Sequence, residues 1–94
     1  MGTTAGPLRV TEYATELRRA TIELGHGNEA RLERLYIHQH GREEMRLSWW
    51  QNGRMMDRPL DLAEADMVRL FAEGRRQRVF SEEFATDLRT ALLP

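Results

Sequence analysis

The sequence predicts an α+β domain in which an antiparallel meander of three or four strands is followed by two C-terminal helices packed on one sheet face. Three observations predict it. Apolar and polar residues alternate through much of Arg31 to Leu60, the period of a half-buried strand. Asn52-Gly53 sits between two such runs, and both residues tolerate the positive φ that a tight hairpin needs. After Leu60 the period lengthens to that of a helix. At 94 residues the chain has room for one folding unit, with residues 1–8 read as a flexible N-terminal tail and 9–94 as the single domain.

The tail assignment rests on Gly2, Gly6 and Pro7 and on the lack of any apolar period there. From Thr11 to Gly25 two readings compete. Tyr13, Leu17, Ala20 and Leu24 have helical spacing between a candidate N-cap, Thr11, and a candidate C-cap, Gly25. Ala20, Ile22 and Leu24 also alternate with Arg19, Thr21 and Glu23, and a strand over 18–24 is favoured because the GHGNE cluster after it supplies a reversal. In RLERLYIH, residues 31–38, Leu35 and Ile37 point one way and Arg34, Tyr36 and His38 the other. HGREE turns the chain. Met45, Leu47 and Trp49 then alternate with Arg46, Ser48 and Trp50; the first three are assigned to the core, so Trp49 is expected inside and Trp50 outside. RMMDRPL returns as a strand that lies at a sheet edge or ends near Pro59, since Pro59 cannot donate to a ladder.

Asp61 with Glu64 three residues later resembles a capping box, and Ala63, Met67, Leu70, Phe71 and Gly74 form the apolar face of a helix ending near Gln77. Ser81 is a second N-cap, Phe80 can staple against Ala85, and Phe84, Leu88, Ala91 and Leu92 form the stripe of a short final helix. Such a helix is marginal alone and must dock.

Fourteen basic residues, all arginine, against fifteen acidic ones give a net charge of -1, without the global footprint of a duplex-DNA binder. With no cysteine there is no disulfide, thiolate nucleophile or cysteine-based zinc site. The start lacks a charged region followed by an apolar stretch, and no run approaches the roughly 18 apolar residues of a membrane span. A cytoplasmic protein without membrane contact is expected. Gly25-His26-Gly27 is a turn rather than a phosphate loop, and no Ser, His and Asp combination has meaningful spacing, so no enzymatic activity and no cofactor are expected. His38 and His40 could face one metal ion, with His26 or Glu44 completing the set. Structural zinc normally takes about four protein ligands, and no metal is expected.

The sheet face left uncovered by the helices is expected to carry function. On it the alternation places Arg34, Tyr36 and His38 beside Arg46, Ser48 and Trp50, an aromatic and cationic surface. The competing reading packs Tyr36 and Trp50 under the N-terminal segment or across a homodimer, with the arginines in surface ion pairs. Arg69, Arg75, Arg76 and Arg78 form a secondary basic patch, either favourable charge at a helix C-terminus or a site for phosphate or an acidic partner. Met55 and Met56 beside the tryptophans could add an adaptable patch. These features suggest a small non-enzymatic interaction module that binds a protein partner, in one concrete form an inhibitor from a phage or mobile element acting by surface occlusion. The alternative is a single-stranded nucleic-acid binder using the same face.

Overall fold

The computed structural model describes residues 8–94; the expected tail, residues 1–7 of it, lies outside the described residues. Strand β1 (Ala14–Gly25) pairs with β2 (Asn28–Ile37), β2 with β3 (Arg42–Gln51), and β3 with β4 (Arg54–Met55), all antiparallel, in the sheet order β1-β2-β3-β4. Helices α1 (Glu64–Arg76) and α2 (Glu82–Leu92) follow. The chain is therefore α+β, a four-stranded antiparallel meander with two C-terminal helices. Among the described residues no helix is long and apolar enough to cross a membrane.

Two tight turns set the meander. His26 and Gly27 both have positive φ, as do Asn52 and Gly53, the geometry whose twist matches antiparallel strands. The turns touch: Asn52 N–H donates to Gly27 O at 2.8 Å, and a Cβ on Gly27 would lie 2.1 Å from Asn52 Oδ1. The helical reading of 11–24 fails because β1 starts at Ala14 and pairs along its length with β2, so the strand is longer than the expected 18–24. Thr11 uses its capping chemistry on a turn instead, its Oγ1 accepting from Tyr13 N–H and Ala14 N–H. The returning strand is shorter than expected. β4 holds only Arg54 and Met55, after which Met56 makes one more bond to Trp49 and the chain leaves the sheet toward the helices.

The main core lies between α1 and the first two strands: Ala20, Ile22, Ala30 and Leu32 meet Leu70, Val79 and Phe80, with Leu60, Leu62, Phe71 and Phe84 packed around them. Asp61 is not the N-cap. Leu60 and Leu62 are drawn onto the core, which keeps this stretch out of the helix; α1 starts at Glu64 after an extended Ala63 that makes no side-chain cap. Ser81 does cap α2, accepting from Phe84 N–H at 3.0 Å.

α1 ends in a Schellman motif, with Val79 N–H donating to Gly74 O and Arg78 N–H to Arg75 O. The left-handed residue this requires is Arg78, at φ 61°. Since glycine adopts that conformation without penalty, Arg78→Gly is expected to raise stability by about 0.5–1 kcal/mol, read as a higher denaturant midpoint.

Met45, Leu47 and Trp49 lie on the helix side of the sheet, as their alternation requires, yet they are not core. Helix α1 covers β1 and β2 and neither helix lies over β3, so Met45 is 37% and Leu47 45% exposed. Trp49 is half-buried, with Nε1–H donating to Asn28 Oδ1.

Candidate functional site

The expected aromatic and cationic face is divided between the two sides of the sheet. Arg34 pairs with Met45, Glu33 with Arg46 and Arg31 with Ser48. Residues directly opposite in an antiparallel pair share a face, so even-numbered residues of β2 lie with odd-numbered residues of β3. Arg34 and Tyr36 therefore belong to the helix side, while Arg46, Ser48 and Trp50 belong to the other. Arg34 Nε–H donates to Val79 O at 2.6 Å, tying β2 to the end of α1, and its Nη1 pairs with Glu43. His38 lies just beyond β2. Its Nδ1–H donates to Glu12 O and its Nε2 accepts from Thr15 Oγ1, so both ring nitrogens hold the N-terminal turn. Among the described residues, no three His, Asp or Glu side chains gather as a metal site.

The side away from the helices is a buried polar layer. Trp50, 4% exposed, lies under Arg31, whose guanidinium is 3.7 Å from the ring centroid, with Arg9 at 4.9 Å. Its Nε1–H donates to Ser48 Oγ, which reaches Glu33 Oε1. Packing of Trp50 beneath the N-terminal segment is thus the arrangement observed. Beside it, Glu16 and Arg19 form a two-toothed buried pair, Nε to Oε2 at 2.9 Å and Nη2 to Oε1 at 2.8 Å. Residues three apart on a regular strand face opposite ways. Here the register skips Leu17, and the bulge returns Glu16 and Arg19 to one side.

Glu33 is fully buried; Arg46 contacts its Oε1 at 3.0 Å, while its Oε2 meets no donor. Burial, then the neighbouring Glu16 carboxyl, pushes Glu33 up to about 7 against the pull of Arg46. Burial also acts to raise Glu16, but the hydrogen bonds from Arg19, from protonated Glu33 and from the Arg9 backbone prevail and hold it at about 2. With Glu33 raised and Glu16 lowered, the proton that the pair holds below about pH 7 sits on Glu33. A cleft of about 240 Å³ opens here between Arg9, Tyr13, Glu16, Glu33, Arg46 and Met55. The layer stitches the N-terminal segment to the sheet.

The secondary basic patch is largely neutralised within the chain. Arg69 pairs with Asp66, Arg76 with Glu73, and Arg75 makes a two-toothed bridge to Glu82 at 2.9 and 3.1 Å. Arg78 occupies the left-handed position after α1.

An apolar opening lies on the helices. No residue of α2 is fully buried; Phe84 and the connector before it anchor the helix, and Leu92 is 74% exposed. Between α1 and α2 runs an apolar groove of about 680 Å³ lined by Met67, Val68, Phe71, Leu88, Leu92 and Leu93, with Arg75 and Arg89 as its charged residues. The stripe Phe84, Leu88, Ala91 and Leu92 was legible in the sequence as a docking face. Its direction was not, because Leu88 and Leu92 reach past the sheet core, and Val68, 69% exposed, joins them from the outer side of α1. Searches against family models, curated proteins and solved structures find no match to this chain.

Proposed function

We propose that this chain is a non-enzymatic protein-binding module of the cytoplasm, and that its docking surface is the α1/α2 groove rather than the sheet face. The observation that carries the reading is α2 itself, an amphipathic helix whose apolar stripe is anchored on the core at Phe84 and half-covered at Leu88, and is left exposed among the described residues at Ala91 and Leu92. A helix this short gains little from its own hydrogen bonds and is stabilised by what covers its apolar side. A groove walled by two helices fits an amphipathic helix from another protein, anchored at residues three, four and seven apart. Because Arg89 lines it, while Arg75 is already bridged to Glu82, the matching helix carries an acidic residue facing Arg89 beside its apolar stripe. An inhibitor working by occlusion needs no more than such a surface.

Nucleic-acid binding through the sheet has less support. Arg34 and Arg46 are engaged by Val79, Glu43 and Glu33, and Trp50 is enclosed. A photo-crosslinking residue at Val68 or Leu92 is expected to capture one and the same host protein, and one at Thr86, on the exposed side of α2, to capture none. Leu88→Glu with Leu92→Glu should abolish capture while leaving the circular dichroism spectrum intact, because neither residue is in the core cluster. Capture unaffected by the double substitution would refute the groove. Tight, salt-dependent binding of labelled single strands, lost in Tyr36→Ala, would move the reading to nucleic acid.

A further inference from the structure

β4 pairs with only the last two residues of β3, Trp50 with Met55 and Gln51 with Arg54, and Met56 N–H adds one bond to Trp49 O. From Arg42 to Ser48 the outer side of β3 pairs with nothing among the described residues. Backbone N–H and C=O groups of an antiparallel strand point alternately to its two sides. Since Trp49 and Gln51 bond outward to the β4 side, the groups left open at this edge belong to Glu43, Met45 and Leu47. Beside them, Met45 and Leu47 expose apolar side chains on the helix side of the sheet. An open, straight edge with apolar side chains is a template for another strand.

We propose that the strand it receives is β3 of a second copy of this chain, joined antiparallel about a two-fold axis through Met45, so that two four-stranded sheets become one of eight strands. The register follows from the open groups. With Met45 opposite Met45 of the second copy, Glu43 lies opposite Leu47 and Leu47 opposite Glu43, and every outward N–H and C=O finds its partner. A shift by two residues either way leaves one of them unpaired or meets Trp49, whose carbonyl is already bonded to Met56. The same register places Glu44, paired in its own chain with Arg42, opposite Arg46 of the second copy, paired in its own with Glu33, twice by symmetry, on the side away from the helices, at the closer, non-hydrogen-bonded positions, so that two ion pairs join into one alternating row. On the helix side it sets Met45 against Met45 with Leu47 at the diagonal. Like charges face each other nowhere. The contact is isologous and closes on itself, which avoids open-ended strand addition. It is also small, so association in the micromolar range is expected.

The chain has no cysteine, so single cysteines can read the register. Facing residues at the axis lie about 5.5 Å apart at Cα, within disulfide reach, whereas residues two positions from the axis are separated from their own copies by more than ~10 Å. Under mild oxidant, Met45→Cys is expected to form a covalent dimer. Glu43→Cys and Leu47→Cys should each give no covalent dimer alone and form a covalent mixed dimer together. Unmodified protein at ~100 μM should sediment as a dimer, and Met45→Pro, which removes an outward N–H without touching the β2 ladder, as a folded monomer. Should Met45→Pro fail to fold, amide exchange on the unmodified protein gives the same answer: Glu43, Met45 and Leu47 protected at high concentration and unprotected on dilution. A monomer at every concentration, or equal crosslinking by all three cysteines alone, would overturn the proposal.

Discussion

Replacing Trp50 with alanine is expected to cost roughly 3–5 kcal/mol of folding free energy, in line with large-to-small changes at buried aromatic sites. The side chain is 4% exposed, sandwiched by Arg31 and approached by Arg9, and its indole N–H holds Ser48 in reach of Glu33. Removing it therefore opens a void, ends the cation–π contacts and loosens the hydrogen bond that satisfies Ser48. Trp49→Ala should cost distinctly less, about 1–2 kcal/mol, because that ring is half-buried and lines an open cleft with Leu24, Pro59 and Leu60. Denaturant melts of the two variants decide the matter. A larger loss at Trp49 would mean that the polar layer is not the tightly packed side.

Arg19→Met should be comparably damaging, by about 3–5 kcal/mol, since it leaves the buried Glu16 charge without its two-toothed partner. The carboxyl pair also gives stability an unusual dependence on pH. Glu33 is raised from 4.5 to about 7, so the folded state binds its proton more tightly than the unfolded chain does; that contribution is fully present below 4.5 and is lost as pH rises through about 7. Glu16 is lowered from 4.5 to about 2, so its contribution is present above 4.5 and is lost as pH falls through about 2. Both are in force together near pH 4.5 to 5. Stability is expected to fall between there and pH 8 by roughly 2–3 kcal/mol, where many proteins are flat. Glu33→Gln, which keeps a donor toward Glu16 without the titration, should remove the slope. Thermal melts from pH 4 to 8 that show no decline toward neutral pH, or a decline that survives Glu33→Gln, would contradict the shared proton.

Sequence alone determined the elements that depend on neighbours along the chain. Alternation located β2 and β3; Asn52-Gly53 and the Gly25 to Gly27 cluster located the turns; Ser81 located the start of α2, because propensity, turn chemistry and capping act over a few residues. The order of these elements was enough for the α+β meander and its two helices. Tertiary structure decided the rest. Which parity of β2 meets which parity of β3 depends on pairing register, which alternation within each strand does not carry, and both sides of this sheet bury residues: Ala30 and Leu32 on one, Leu35 and Ile37 on the other. The expected face of Arg34, Tyr36, His38, Arg46, Ser48 and Trp50 was lost on that one unknown. The bulge at Leu17, which brings Glu16 and Arg19 together, likewise exists only against a partner strand. The extent of helix cover decided that Met45 and Leu47, patterned as core, stand open at an edge. Burial is a property of what lies opposite a side chain, and that is set by contacts distant in the chain.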